Sequence, residues 1–208
     1  MALVPARLDQ FTAALTNDLS RPSDKAEAYS GKFQAATERQ REQKDRLIAA
    51  DRPLAQGERE LDQGYTAAAQ SLFNKALEAD PNRWEPHAYL AEMLVNAGEL
   101  EQAYPHLAKM QQLDPDSVIG NYLTATYWYK RENHEQAREY AEKAKLGRPA
   151  NSELRHLLGK IYAALKRDDR AREEYQAAVE LAPERVDFRR DLQNLEAKAG
   201  LPNAGIVK

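Results

Sequence analysis

The sequence contains no cysteine, which excludes disulfide bonds and thiolate chemistry. This absence leaves the redox compartment undecided, because a chain without cysteine is compatible with all of them. No apolar run approaches the ~20 residues that a membrane-spanning helix requires. The first residues also lack the apolar segment of a signal peptide. We therefore expect a cytoplasmic protein with no membrane span, although an excised ectodomain or a periplasmic protein would show the same features.

A strong charge of either sign is also lacking. The chain has 30 basic and 33 acidic side chains, which gives a net charge of −3 at pH 7. Binding to a phosphate backbone needs clustered lysine and arginine, whereas here charges of both signs are many and mixed. The composition predicts a solvated surface and no nucleic-acid partner.

Catalytic and metal-binding motifs are absent as well. The four histidines, His87, His106, His134 and His156, do not have the spacing of metal ligands. The sequence has no His-Glu-x-x-His helix, no glycine-rich phosphate loop and no Gly-x-Ser-x-Gly elbow. Acidic pairs such as Glu173 and Glu174 are typical of solvated helix faces. We therefore predict that the protein is not an enzyme and has no cofactor, no catalytic residues and no metal site.

What the sequence does contain is a 34-residue period marked by four prolines, Pro81, Pro115, Pro149 and Pro183. Small residues recur twelve and twenty-four positions before each proline, at Ala69, Ala103, Ala137, Ala171, Gly57, Ala91, Ala125 and Gly159. A proline marks a helix end because it is disfavoured in a helix interior and biases the preceding residue away from the helical region. Small residues allow two helices to approach closely. The period therefore predicts repeated helix pairs.

This spacing resembles the tetratricopeptide repeat (TPR). The fourth unit matches the family pattern best, at Leu158, Gly159, Tyr162, Ala171, Tyr175, Ala178 and Pro183. The resemblance implies an all-α, right-handed superhelical solenoid of antiparallel helix pairs. We expect an N-terminal helical extension or linker in residues 1–49, four TPR units in 50–185, a C-terminal capping helix in 186–200 and a flexible tail in 201–208.

The N-terminal 49 residues stand outside the period. Leu8, Phe11, Leu15 and Leu19 recur at three- and four-residue spacing, which indicates a short amphipathic helix. Residues 37–46 contain no apolar side chain and suit a solvated linker helix. The alternative is a mobile arm whose apolar face docks on the repeats, in the same chain or in another molecule.

Several positions depart from a regular repeat. Pro53 suits the first turn of a helix, whereas Pro105 falls within one and should cost a hydrogen bond or delay the helix start. Asn121 and Thr124 replace residues that are usually larger and apolar, which leaves the local packing open. In the capping helix we expect an inner side of Phe188, Leu192 and Leu195 and an outer side of Arg189, Arg190, Asp191 and Glu196.

By the same resemblance, the first helix of each unit lines a concave groove that binds extended ligands. Counting back from the prolines gives the candidate peptide-binding residues Glu58, Tyr89, Glu92, Asn96, Tyr122, Leu123, Thr126, Tyr129, Lys130, Leu157 and Lys160. The middle of this set is apolar and aromatic. Acidic residues lie at its N-terminal end and the two lysines toward the other end. The pattern favours an extended or helical segment with apolar anchors and a basic end, although some tyrosines could instead pack between units.

The sequence thus favours a non-enzymatic protein–protein interaction module that binds a protein or peptide partner. The family's chaperone-tail receptors hold a terminal carboxylate with a clamp of lysine, asparagine and arginine, and this chain lacks that clamp. Acidic or apolar residues stand at the matching places, including Ala88, Glu92, Leu123, Glu153 and Leu157. The alternative from another class is a structural assembly protein that self-associates through its solenoid and its N-terminal arm. An adaptor that recruits an enzyme would have the same sequence features.

Overall fold

The computed structural model describes residues 22–199, with side chains described for 29–198. Within residues 22–199 the secondary structure is entirely helical. The helices are α1 (Pro22–Asp62), α2 (Thr66–Ala79), α3 (Trp84–Ala97), α4 (Leu100–Leu113), α5 (Val118–Lys130), α6 (His134–Gly147), α7 (Ser152–Ala164), α8 (Asp168–Leu181) and α9 (Val186–Ala199). The expected helix at residues 8–19 and the expected tail at 201–208 lie outside the described residues.

The chain divides into two compact units, residues 1–48 and 49–208. The described part of the first unit is the N-terminal portion of α1, whose side chains from residue 30 to 48 are almost all exposed. In the second unit each helix from α2 onward packs against the next along the chain, and α3 also packs against α5. This neighbour-to-neighbour packing is that of an all-α helical repeat solenoid, which confirms the fold class expected from the period.

The prolines end the second helix of each repeat as predicted. Helices α2, α4, α6 and α8 stop two residues before Pro81, Pro115, Pro149 and Pro183. The residue before Pro81, Asp80, has φ −137° and ψ 95°, which is extended backbone. Asp114 before Pro115 is similar, with φ −150° and ψ 95°. The steric effect of a proline on the preceding residue accounts for this conformation.

At the end of the first helix of each repeat lies a residue with positive φ, and these residues are also 34 positions apart. Gly64, Gly98, Glu132 and Lys166 have φ values of 83°, 81°, 59° and 59°, in the left-handed region. At Gly98 the next amide donates back to the Leu94 carbonyl, which satisfies the end of α3. Glu132 and Lys166 take the same conformation without being glycine. Residue type therefore hides this half of the period from a sequence search.

The core is built on the small residues of the period. Ala69, Ala103, Ala137 and Ala171 have no exposed surface. Gly159 faces the ring of Tyr175, and a Cβ atom there would lie 2.4 Å from the ring's Cδ1. Gly57 stands in the same relation to Phe73, with 2.7 Å to Cε1. Close helix approach thus depends on small residues opposite aromatic rings.

The expected start of a helix at Pro53 was wrong. Pro53 lies inside α1, which runs without a break from Pro22 to Asp62. Residues 41–52 include no glycine or proline and contain three arginines and two alanines, which favour helix strongly enough to continue past the missing N–H. Pro105 likewise lies inside α4 on an exposed position, and that helix begins five residues earlier, at Leu100. Its start is therefore not delayed.

Two acidic residues expected on solvated faces are buried instead. Glu174 accepts Lys145 Nζ at 2.5 Å and Arg155 at 2.8 Å, and it thereby joins α8 to α6 and α7. Glu196 is 1% exposed and accepts from Arg172 Nε at 3.0 Å. The expectation of a solvated side chain was therefore wrong for Glu174 and for Glu196, whereas Glu173 is exposed as expected. Burial is tolerated because each carboxylate has a basic partner.

The unusual polar residues of the third repeat are buried and hydrogen-bonded. Asn121 donates to the Pro115 carbonyl at 3.0 Å and accepts from Gln111 Nε2 at 3.2 Å. Thr124 donates to the Gly120 carbonyl at 2.7 Å. These bonds link the start of α5 to the end of α4, and they offset the cost of placing polar groups in the core.

Candidate functional site

The structure brings six of the eleven predicted groove residues to one cavity of about 440 Å³. They come from α5 and α7 and are Tyr122, Thr126, Tyr129, Lys130, Leu157 and Lys160. The cavity is completed by Glu153 and His156 of α7, by Arg185 before α9, and by Asp187 and Phe188 of α9. We call these eleven residues the C-terminal pocket. It lies where the third and fourth repeats meet the last helix.

A histidine stacked on a phenylalanine forms one wall of the C-terminal pocket. The His156 ring lies 4.2 Å from the buried ring of Phe188, measured between centroids. Its Nε2–H donates to Asp191 at 2.9 Å, because a carboxylate can only accept. Burial lowers the pKa of His156, and the nearby Lys160 ammonium lowers it further. The wall is therefore an uncharged aromatic surface at neutral pH.

The arginine of the pocket is fully engaged by its neighbours. Arg185 donates to both carboxylate oxygens of Asp187, at 2.9 and 2.8 Å, and to Glu153 at 3.2 Å. Its guanidinium also lies 4.1 Å from the centroid of Phe188. The hydrogen bond from Arg185 holds the pKa of Asp187 well below its usual range. Arg185 thus orders the pocket rim and leaves little positive charge for a ligand.

The two lysines of the pocket differ from Arg185 in their ion pairing. Among the described residues, no carboxylate lies within ion-pair distance of Lys130 or Lys160. Lys130 is exposed at the end of α5, and Lys160 is half-buried on α7. The C-terminal pocket therefore presents two ammonium groups with which no described carboxylate forms an ion pair.

The tyrosines of the pocket stay protonated in any ordinary solution. Burial raises the pKa of Tyr122 and of Tyr129, and nearby carboxylates, Glu153 for Tyr122 and Asp191 for Tyr129, raise it further. Both rings are half-buried, so each offers an aromatic face and a hydroxyl donor. A neighbouring cavity of about 330 Å³ shares Tyr129 and Lys160 and continues along α9 to Lys198.

The N-terminal half of the predicted groove is built differently. The Tyr89 ring stacks on Phe73 at 4.7 Å with 6° between the planes, and its hydroxyl donates to Glu58 at 3.0 Å. Burial and this contact raise the pKa of Tyr89 to about 12. Glu92 and Asn96 are exposed on α3 and do not line the C-terminal pocket. Tyr89 therefore packs between repeats, as the alternative interpretation of the tyrosines anticipated.

The two predicted leucines are buried. Leu123 is 4% exposed in the core shared by the first three repeats, and Leu157 is 7% exposed at the pocket floor. The groove predicted from the repeat spacing lacks Glu153, Arg185, Asp187 and Phe188, which line the pocket in the structure. A signal was available, because Asp187 follows Pro183 by four residues as Glu153 follows Pro149. The 34-residue spacing thus extends into α9, which takes the place of a further first helix.

A larger cavity, of about 700 Å³, lies elsewhere, at the connections between helix pairs. Trp84, Leu113 and Ile119 are among its lining residues, and none of the eleven predicted groove residues reaches it. Its volume is greater, but neither of the predicted lysines, Lys130 and Lys160, lines it. The C-terminal pocket is the better candidate site.

Comparison with known proteins identifies the repeat. Two tetratricopeptide repeat family models match the chain, over residues 60–125 and 152–185. The chain is a tetratricopeptide repeat protein. The resemblance found in the sequence is therefore confirmed.

Solved TPR structures share the fold of this chain. A thermophilic TPR protein from Thermus thermophilus is 23% identical, with a TM-score of 0.63 over 73% of this chain and 84% of its own. PilF from Pseudomonas aeruginosa is 23% identical, with a TM-score of 0.66 over 74% and 71%. MamA from Desulfovibrio magneticus RS-1 is 22% identical, with a TM-score of 0.65 over 73% and 86%. At such identities the likeness establishes the fold alone. No curated protein matches the sequence.

TPR proteins are in general non-enzymatic interaction modules, and this fold supports a protein–protein interaction or scaffold role. In the described part of the chain, no helix combines the length and the apolar character needed to cross a membrane. The same residues contain no group of three or more His, Cys, Asp or Glu side chains placed to hold a metal ion.

Proposed function

We propose that this TPR protein binds an extended or helical segment of a protein partner along its groove, with an apolar side chain anchored in the C-terminal pocket. The supporting observation is that six residues predicted from the repeat spacing line one cavity of about 440 Å³. A cavity of this volume suits a large apolar or aromatic side chain and its neighbours.

Aromatic surface supplies the affinity in this proposal. Tyr122 and Tyr129 provide flat, partly buried faces, and the buried His156–Phe188 stack lies in the wall beside them. Such side chains lose little conformational entropy on binding, and buried aromatic contacts dominate the energy of most interfaces. The Arg185 contacts with Glu153, Asp187 and Phe188 keep the pocket open before the partner arrives, which reduces the cost of ordering it.

Charge sets the direction of the bound segment. Glu58 and Glu92, with Asp62, make the N-terminal end of the groove acidic, whereas Lys130 and Lys160 carry uncompensated positive charge at the C-terminal pocket. A partner with a basic end would place that end over the first and second repeats. An acidic group beside the apolar anchor would then lie near the two lysines. Surface pairs of this kind contribute more to orientation and association rate than to affinity.

The experiment starts from peptides selected for binding to the full chain in a displayed random library. The selected peptides should share an apolar or aromatic anchor, and their affinity should fall about tenfold or more for Tyr129→Ala, a loss typical of a buried aromatic contact. The matched control is Tyr104→Ala, because Tyr104 is an exposed tyrosine on α4 that lies outside the pocket.

A second pair of variants tests the charges. Lys130→Glu should weaken binding of peptides with an acidic group beside the anchor, while Lys75→Glu on α2 should not, since Lys75 is an exposed lysine outside the pocket. Circular dichroism checks that all variants stay helical. If selected peptides bound Tyr129→Ala and Tyr104→Ala with the affinity of the unaltered chain, the pocket would not be the binding site.

A further inference from the structure

A second surface lies on the part of α1 between residues 29 and 48. Phe33 is 74% exposed there and Leu47 is 41% exposed. These two residues belong to a row at alternating three- and four-residue spacing, which consists of Tyr29, Phe33, Ala36, Gln40, Gln43 and Leu47. At 100° per residue the row occupies an arc of about 80° on the helix, as the contact face of a coiled coil does. We call it the α1 seam.

Basic residues flank the α1 seam on both sides. Lys32, Arg39 and Arg46 form one flanking row at seven-residue spacing, and Lys44 lies on the other side. These are the positions from which coiled-coil helices exchange ion pairs with a partner. Within the described residues none of the four makes an ion pair, although Lys32 Nζ lies 6.0 Å from the Tyr29 ring.

The acidic residues of the same stretch lie on the opposite face. Glu38, Glu42 and Asp45 fall about 140° to 180° away from the seam at 100° per residue. Apart from Arg41, which lies about 120° from the seam, the charge of this segment is therefore sorted by face, although the chain as a whole carries a net charge of only −3. A helix that only bridged solvent would not require this arrangement.

Two copies of this face would repel each other. In a parallel pair, the flanking residue Arg39 of one helix faces Lys44 of the other, because such pairs join positions five residues apart. In an antiparallel pair the row of Lys32, Arg39 and Arg46 would face itself. Like charges therefore oppose pairing of the α1 seam with a second copy in either direction.

We propose that the α1 seam docks an acidic amphipathic helix of a partner protein as a heteromeric coiled coil. Apolar side chains of the partner would cover Phe33, Ala36 and Leu47, and its glutamates or aspartates would face Lys32, Arg39, Lys44 and Arg46. Gln40 and Gln43 lie at the centre of the seam, where polar residues fix the register of a coiled coil at some cost in stability. They also interrupt the apolar strip, which disfavours insertion into a lipid surface. This surface is separate from the groove and does not depend on its function.

The test uses the full chain and two synthetic three-heptad peptides. Both have leucine and isoleucine at the core positions, and they carry either glutamate or lysine at all flanking positions. Titration of labelled peptide followed by fluorescence anisotropy at low salt should show saturable binding of the glutamate peptide and none of the lysine peptide. Phe33→Glu should abolish that binding, because it places a negative charge in the seam. The fold should not change, since the exposed Phe33 contributes no core packing of its own.

The chain offers a matched pair of charge reversals. Arg39→Glu removes a flanking charge and should weaken binding of the glutamate peptide about threefold or more, as expected for one ion pair turned into a repulsion. Arg41→Glu makes the same substitution two residues away, outside the flanking rows, and should change it by less than a factor of about two. It therefore controls for net charge.

Other results would overturn the proposal. These are absence of binding to the glutamate peptide, equal binding of both peptides, or equal loss with Arg39→Glu and Arg41→Glu. Sedimentation with vesicles that contain one-third anionic lipid tests the membrane alternative. Vesicle binding that Phe33→Glu abolishes, without peptide binding, would identify the α1 seam as a lipid-binding face instead.

Discussion

At the scale of residues, Gly159 shows how closely the fourth repeat is packed. A Cβ at Gly159 would approach Tyr175 Cδ1 to 2.4 Å and Cγ to 2.8 Å. Cγ lies on the axis about which the ring turns, so rotation of the ring about the Cβ–Cγ bond cannot move it away. Gly31 on α1 is also a helical glycine, but no atom lies within 4 Å of the place where its Cβ would be. The two positions differ in the room available for a Cβ atom, not in backbone conformation.

We predict opposite effects for the same substitution at these two glycines. Gly159→Ala should lower the free energy of unfolding by about 1 to 3 kcal/mol, because overpacking outweighs the better helix propensity of alanine. Gly31→Ala should leave it unchanged or raise it by up to about 1 kcal/mol. Urea denaturation followed by circular dichroism measures both. A Gly159→Ala chain as stable as the unaltered one would show that the two helices can separate at little cost.

At the scale of elements, two histidines join the helices of the second repeat. His87 of α3 and His106 of α4 face each other with 2.9 Å between their Nδ1 atoms, and His87 Nε2 lies 3.1 Å from the Pro81 carbonyl. The carbonyl can only accept, so His87 Nε2 carries the proton and a neutral His87 has an accepting Nδ1. His106 therefore donates from its Nδ1. A second proton on His87 would bring two donors face to face.

Burial lowers the pKa of both histidines. The pKa of His106 falls to about 4 through burial and then through its neighbour His87, and Lys109 adds to the lowering for His87. In the unfolded chain a histidine titrates near a pKa of about 6.5, so acid binds to the unfolded state first. The contribution of this pair to stability is complete above pH ~6.5 and is lost as the pH falls toward about 4.

We therefore predict that His106→Gln weakens the pH dependence of unfolding. Glutamine can still donate to His87 Nδ1 but cannot take up a proton. Between pH 7 and pH 5 the urea midpoint of the unaltered chain should fall more than that of His106→Gln. His134→Gln is the control, because His134 belongs to the third repeat and is not part of the pair. Parallel pH profiles for His106→Gln and the unaltered chain would contradict the prediction.

At the scale of the whole molecule, the charges of the two candidate surfaces bear on whether the chain assembles with itself. The C-terminal pocket carries two lysines that make no ion pair within residues 29–198, and the α1 seam is flanked by basic residues. Each favours a partner of different charge over a second copy of the chain. Neither of these two surfaces supports self-association, the structural alternative that the sequence raised.

The chain alone should therefore be a monomer. Static light scattering at several concentrations up to the millimolar range should give a constant mass near 23.5 kDa. Addition of the glutamate-flanked peptide should raise that mass by one peptide. A mass that increased with protein concentration would favour the assembly protein over the interaction module.

The groove could be predicted only in part. The repeat spacing located Tyr122, Tyr129, Lys130 and Lys160, because positions on the first helix follow from counting residues back from a proline. It could not show that Tyr89 stacks on Phe73, since that contact joins helices of different repeats. It also could not show that the buried Glu174 holds Lys145 and Arg155, because sequence does not reveal which partner is present when a charge is buried.

The sequence by itself determined the period, the ends of the second helices at the prolines and the small residues where helices meet. These features depend on local backbone preference and on side-chain size, which each residue carries with it. The tertiary structure alone decided which polar groups are buried, which tyrosines pack between repeats and how α9 closes the pocket with Arg185 and Phe188. Those outcomes depend on distances between side chains that are about 30 residues apart in the chain, and such distances are set only when the helices pack.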